Sequence, residues 1–400
     1  MSDQLLDTTV VAAPTGARQN WLVERLLSNV RRGRLTLVTP SGSRLTHAPT
    51  APGPEGTMVL HRWRTLHRLL TGGDVAGGET YMDGDWSSPD LPSLIELVAS
   101  NDTLVKAIGG SWFARALNRL MHGMNANTKR GSRRNIVRHY DLGNNFYSAW
   151  LDPGMTYSSG LYRTGSESLI EAQTAKQDRA IELLNLAGDE RVLEIGCGWG
   201  GLIERLVATG TGSVTGVTLS PSQLEYAAKR VPNADLRLQD YRDVIGTFDR
   251  IVSIEMLEAV GESWWPSYFA TLRDRLRPGG IAVLQAITIA EDRFEDYRGT
   301  ADFIQRYIFP GGMLPSQTEM RRQIAGAGLT LRSVETFGDS YARTLAAWRQ
   351  RFLTAWPDIV RMGFDLRFKR MWDYYLSYCE AGFRAGATDV GLYVVDRPAG

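Results

Sequence analysis

Acidic residues and glycines stand together in this chain in patterns that could do chemistry. In Val192-Leu-Glu-Ile-Gly-Cys-Gly-Trp-Gly-Gly201 an apolar run leads into Glu194 and then into Gly196, Gly198 and Gly200. A strand ending in such a turn lets backbone pass close to a ligand, because no Cβ intervenes. The helix that follows presents free N–H groups to the same ligand. The spacing is Glu-x-Gly-x-Gly-x-Gly, not the Gly-x-Gly-x-x-Gly that cradles a dinucleotide. A tight structural turn is the competing reading for this loop taken alone. Farther on, Thr218, Leu219, Ser220 and Gln223 offer hydroxyls and an amide at the end of a second strand. They stand in place of an acidic residue that could bind both hydroxyls of a ribose. Gln239 and Asp240 follow a third strand, where Asp240 could accept a hydrogen bond from a base amino group; an ordinary strand-to-loop cap is the alternative. Glu255 and Glu258 lie one helical turn apart, so both could face a pocket, or they could cap a helix start.

The elements that must position these groups are strands alternating with helices. Arg191 to Ile195, Ser213 to Leu219, Asp235 to Gln239, Phe248 to Ile254 and Ile281 to Ile289 are apolar, β-branched runs. Helical segments such as Gln223 to Arg230 and Trp264 to Leu276 separate them. Two later strands, Thr330 to Phe337 and Val390 to Val395, bracket a long helical stretch. This alternation predicts an α/β fold with a doubly wound, seven-stranded, mostly parallel sheet whose ligands sit at the carboxyl ends of strands. Before it, a smaller α+β domain is expected: Arg34 to Thr39 alternates like a strand, Pro40 to Gly56 is turn-rich, and His61 to Leu70 and Leu91 to Val98 have helical spacing. The expected organisation is a loose tail over 1–20, an N-terminal domain over 21–124, a basic linker over 125–134 and a larger domain over 135–400.

Composition narrows the function classes. Four hundred residues at 43% hydrophobic content can bury two cores. A net charge of +1 gives no general attraction to polyanions, and nucleic acid is not an expected partner. Cys197 and Cys379 are too few for a disulfide framework or a cysteine-bound metal, which fits a reducing cytoplasm. No secretory leader and no run of about 18 apolar residues is present. Charge is nonetheless uneven: between Thr103 and Tyr140 there are eight Lys and Arg and no Asp or Glu. Its first half, through Leu104, Ile108, Trp112, Phe113 and Leu120, has helical apolar spacing. That combination suits contact with a membrane surface, and equally a core-facing helix followed by a solvated basic linker.

The glycine loop is similar to the S-adenosylmethionine loop of class I methyltransferases. Around it, His139-Tyr-Asp-Leu-Gly-Asn144, Leu151-Asp-Pro-Gly-Met-Thr-Tyr-Ser-Ser159, Gly216-Val-Thr-Leu-Ser220, Gln239-Asp-Tyr-Arg242, Tyr307-Ile-Phe-Pro-Gly311, Phe352-Leu-Thr-Ala-Trp356 and Tyr378-Cys-Glu-Ala-Gly-Phe383 occur in order. The chain resembles the cyclopropane-fatty-acyl-phospholipid synthase family across about residues 80 to 396. Gly78-Glu-Thr-Tyr-Met-Asp-Gly84 resembles part of the N-terminal extension of its bacterial phospholipid branch.

The resemblance implies methyl transfer from S-adenosylmethionine to the cis double bond of a phospholipid acyl chain, by a cytoplasmic, membrane-peripheral homodimer. The carbocation so formed would lose a proton to a bound bicarbonate and close a cyclopropane. Carried over position by position, the bicarbonate-holding residues are Ser159, Glu258, Gln285, Ile287 and Tyr341. Ser159 stands where many members have Cys, and Gln285 where many have His. Both can still hydrogen-bond an anion, but an imidazole that could relay the proton is lost. A methyl-branched or methylene product is therefore the runner-up. The resemblance sets Tyr157 and Ser158 at the methionine end of the donor. It matches Cys379 to a C-terminal cysteine, a candidate site residue whose plain reading is a packed thiol beside Tyr378 and Phe383. No metal is implied. Two other readings stay open: a lipid-surface binding protein with a vestigial pocket, and a methyltransferase for a soluble small molecule.

Overall fold

The computed structural model describes residues 17–108 and 142–399. A four-stranded sheet comes first, from β1 (Arg32–Val38), β2 (Arg44–His47), β3 (Ala51–Leu60) and β4 (Trp86–Ser87), in the order β2-β1-β3-β4. The stretch expected to be turns is therefore largely β2 and β3. Its glycines serve close backbone approach instead: a Cβ on Gly53 would meet the Gly33 nitrogen at 2.9 Å. The helix expected over His61 to Leu70 runs from Arg64 to Met82, kinked at Gly73, whose φ is 70°. A helix from Ala17 to Leu27 also begins inside the expected tail.

The second sheet has seven strands: β5 (Arg191–Ile195), β6 (Ser213–Thr218), β7 (Asp235–Leu238), β8 (Phe248–Ile254), β9 (Leu276–Ile289), β10 (Thr330–Thr336) and β11 (Thr388–Asp396). Their order is β10-β11-β9-β8-β5-β6-β7. β5 to β9 pair in parallel, and β11 is antiparallel to both β9 and β10. The mostly parallel, doubly wound sheet read from the sequence is the sheet observed. Strand order reverses beside β5, where a crevice opens at the carboxyl ends.

The two units pack through the helix Leu366–Arg384, which touches the helices Arg64–Met82 and Leu91–Ala99 of the N-terminal unit. Tyr81 donates its hydroxyl to Asp373 Oδ2 at 2.6 Å, and Arg349 grips the other carboxylate oxygen at 2.6 Å. The basic stretch beyond Ile108, the linker 125–134, His139 and Tyr140 lie outside the described residues.

Candidate active site

A cavity of about 810 Å³ occupies the crevice. Gly196, Gly198 and Gly200 turn there with φ of 84°, 52° and 81°. A Cβ on Gly196 would stand 3.1 Å from Met256 Cγ, and one on Gly200 would stand 3.0 Å from Ala227 Cβ. The loop thus uses glycine for conformation and for space. Glu194 is buried and lines the cavity, and its Oε2 has no hydrogen-bond partner among the described residues. Burial pushes its carboxyl up to about 8. An orphaned acceptor beside a glycine cradle fits S-adenosylmethionine, which brings an ammonium group and an adenosine.

Thr218, Leu219, Gln223 and Gln239 also line this end. Thr218 donates its hydroxyl to Gln223 Oε1 at 2.9 Å. Ser220 is buried and instead caps the helix Pro221–Arg230, accepting from the Gln223 N–H. The Asp240 carboxylate is gripped by Arg242, Nε at 2.8 Å and Nη2 at 2.6 Å, and it is Arg242 that lines the cavity. The cap reading of Asp240 thus has its own geometry, since it also accepts from the Arg242 N–H at 3.0 Å.

At the end of β8 the site departs most from expectation. Glu255 has φ of 48°, rare for a residue with a side chain. This conformation turns its carboxylate into a ring of donors. Oε1 accepts from the Ser159 N–H at 2.8 Å and from Gln285 Nε2 at 2.6 Å. Oε2 accepts from the Tyr341 hydroxyl at 2.5 Å. Three of the five residues assigned to a bound bicarbonate therefore converge on a carboxylate of the chain itself. The Ser159 hydroxyl is turned away, donating to Gly160 O at 2.8 Å. Neither Ser159 nor Gln285 lines the cavity.

Glu258 does not cap a helix through its side chain either. It sits in the short turn Leu257–Ala259, where Oε1 accepts from the Ile287 N–H at 2.5 Å and the buried Oε2 has no partner among the described residues. Burial, and next the nearby Glu255, push its carboxyl up to about 8. Burial raises Glu255 as well, opposed by its bond from Tyr341. Burial and Glu255 hold the Tyr341 phenol well above its ordinary range, so the proton stays on the phenol and is donated. Cys379 lines the cavity half-buried, and burial keeps its thiol protonated at neutral pH.

Tyr157 and Ser158 also line the cavity. The hydroxyls of Tyr157 and Tyr375 are 2.9 Å apart, and the Tyr157 ring packs on Trp348 at 5.3 Å. Ser158 Oγ accepts from Lys176 Nζ at 2.6 Å, and Ser158 O accepts from Gln173 Nε2 at 2.7 Å. Lys176 was not singled out in the sequence, yet periodicity marks it. Leu169, Ala172, Lys176, Ala180 and Leu184 form one buried stripe of their helix. The far end of the cavity includes Ile95, Ala99, Asp102 and Val105 of the N-terminal unit. Arg293 fastens it there by donating to Ala99 O at 2.9 Å.

Residues 127–392 match the family described as mycolic acid cyclopropane synthetase. The chain is 38% identical to the tuberculostearic acid methyltransferase UfaA1 of Mycobacterium tuberculosis, over 97% of this chain and 92% of that protein. It is also 38% identical to the cyclopropane-fatty-acyl-phospholipid synthase of Escherichia coli, over 82% and 84% of the two chains. The crystal structure of the mycolic acid cyclopropane synthase CmaA1 complexed with SAH and CTAB superposes with a TM-score of 0.61. It is 29% identical and covers 66% of this chain and 97% of its own. Fold, glycine cradle and matched length together place the chain in the mycolic acid cyclopropane synthetase family, as an S-adenosylmethionine-dependent methyltransferase.

Proposed function

We propose that the chain methylates the mid-chain cis double bond of an unsaturated phospholipid acyl chain at a membrane surface, with Glu255 in place of bicarbonate as proton acceptor. The observation that carries this reading is the Glu255 carboxylate held by Ser159, Gln285 and Tyr341. When bound, S-adenosylmethionine supplies an electrophilic methyl group. An alkene is a weak nucleophile, so the protein's work is to align the double bond and exclude water. Ile254, Ile287, Ile304 and Leu345 give the cavity apolar walls, and Tyr157, Phe309 and Tyr375 offer aromatic faces to a developing cation.

Proton removal sets the product. With Gln285 in the ring, no imidazole backs the acceptor, and three donors temper the basicity of Glu255. A carbocation that is deprotonated slowly has time for a 1,2-hydride shift. The shift moves the cation to the methyl-bearing carbon, and loss of a proton from that methyl to Glu255 then leaves a methylene branch rather than a ring. The name and near full-length match of the tuberculostearic acid methyltransferase support this branched product. The equal identity to the Escherichia coli synthase supports the cyclopropane as the second reading.

Rates in bicarbonate-depleted and bicarbonate-supplemented buffer, with mono-unsaturated phospholipid vesicles, test the acceptor. Agreement within about twofold is expected; a tenfold stimulation by bicarbonate would return the role to a free anion.

A further inference from the structure

Lys176 is 2% exposed, and it lines the cavity. Lysine is seldom this buried without an ionic partner, because desolvating the ammonium is costly. Yet its side-chain hydrogen bond goes to a neutral group, Ser158 Oγ at 2.6 Å, and no ion pair among the described residues includes it. Its acidic neighbours are Glu255, Asp152 and Glu194, in falling order of the support they give to the charged ammonium. The residue after Ser158 is Ser159, whose N–H donates to Glu255 at 2.8 Å. One dipeptide therefore ties the ammonium to the carboxylate: Lys176 holds its first residue, and Glu255 holds its second.

We propose that Lys176 is a positioning residue of the reaction, fixing the Tyr157–Ser159 segment against the helix Leu169–Leu184 and keeping the Glu255 carboxylate ionised so that it can take the proton. This inference rests on the reading of Glu255 as proton acceptor. The groups facing Glu255 are Lys176, which favours its charged form, Glu258, which opposes it, and Tyr341, which donates to it. Burial lowers the ammonium to about 8, and Glu255 is the foremost neighbour holding it up. Each charge thus supports the other in a site that would discharge either one alone. Removing the cation should raise the Glu255 carboxyl further and leave less of it ionised at neutral pH.

The test is Lys176→Met, with kcat followed from pH 6 to 9.5 and SAH affinity measured by calorimetry. The ascending limb of the kcat profile should move up by about one pH unit, a fall of up to tenfold on its acid side with recovery above it. SAH affinity should stay within about threefold. In a Glu255→Gln background the same substitution should leave only a pH-independent change in the residual single-turnover rate, from the loosened Tyr157–Ser159 segment, since there is no carboxylate left to support. Equal losses at every pH and in both backgrounds would reduce Lys176 to packing. A loss confined to SAH affinity would make it a contact of the donor. Either result overturns the proposal. Ser158→Ala, which deletes the hydrogen bond and keeps the charge, guards against misfolding of Lys176→Met: its limb should not move, and a shift would refute the electrostatic role. Wild-type kcat in Glu255→Gln would sink the acceptor assignment itself. An inactive Glu255→Gln beside an unshifted Lys176→Met would sink only the role of Lys176.

Discussion

Replacing Glu255 with Gln separates chemistry from architecture, because the amide can keep the geometry of the ring. The Gln oxygen would still accept from the Ser159 N–H and Gln285 Nε2, now at 2.8 and 2.6 Å from Oε1. The Gln amide would stand where Oε2 now receives the Tyr341 hydroxyl, and that bond reverses when the hydroxyl rotates to accept. Stability should therefore change by no more than about 1 kcal/mol. Activity should fall much further, since an amide cannot hold a proton. A positioned general base is worth roughly 10²–10⁴-fold, which puts the expected loss at about 3 kcal/mol or more of barrier. Single-turnover transfer of a labelled methyl group to vesicle phospholipid, with thermal denaturation of the same samples, reads both quantities. A variant keeping a third of wild-type activity would refute the reasoning. So would a loss that tracks unfolding.

Three further outcomes follow from the same geometry. Gly196→Ala should weaken SAH binding at least tenfold by calorimetry, because φ of 84° costs an L-residue about 1–2 kcal/mol and the new Cβ meets Met256 Cγ at 3.1 Å. Glu258 has a folded-state carboxyl at about 8, above its unfolded value. Its contribution to stability is thus fully present below pH 4.5 and is lost as pH rises through about 8; melting of Glu258→Gln should lose that dependence and gain on wild type between pH 5 and 9. Cys379→Ala should keep kcat within about threefold, as a protonated thiol serves no nucleophilic step; a hundredfold loss would contradict this.

Much of the framework is legible in the chain because strand burial writes itself as β-branched runs. β5 and β8 have the predicted ends, and the other strands of the larger sheet lie within about five residues of theirs. The glycine loop is legible for a similar reason, since φ above zero and close approach leave few residue types to choose from. The N-terminal strands were harder to read: the glycines and prolines of β3 signal turns unless their pairing with β1 is known. Glu255 could be flagged as pocket-facing but not as the centre of a donor ring. That role depends on a left-handed backbone at a strand end, and on Ser159, Gln285 and Tyr341 arriving from three distant segments. Asp240 illustrates the converse, a carboxylate whose adenine-side reading competes with a local partner, Arg242, two residues away.

In the proposed reaction an alkene is methylated and then deprotonated without ring closure. Its most direct measurement uses purified protein, S-adenosylmethionine and mono-unsaturated phospholipid vesicles. Released fatty acids are weighed by mass spectrometry before and after catalytic hydrogenation. The expected result is the gain of one methylene unit, followed by uptake of one H₂. The same gain with no hydrogen uptake would mean a cyclopropane and contradict the proposed course of proton removal. No mass gain at all would contradict the lipid substrate.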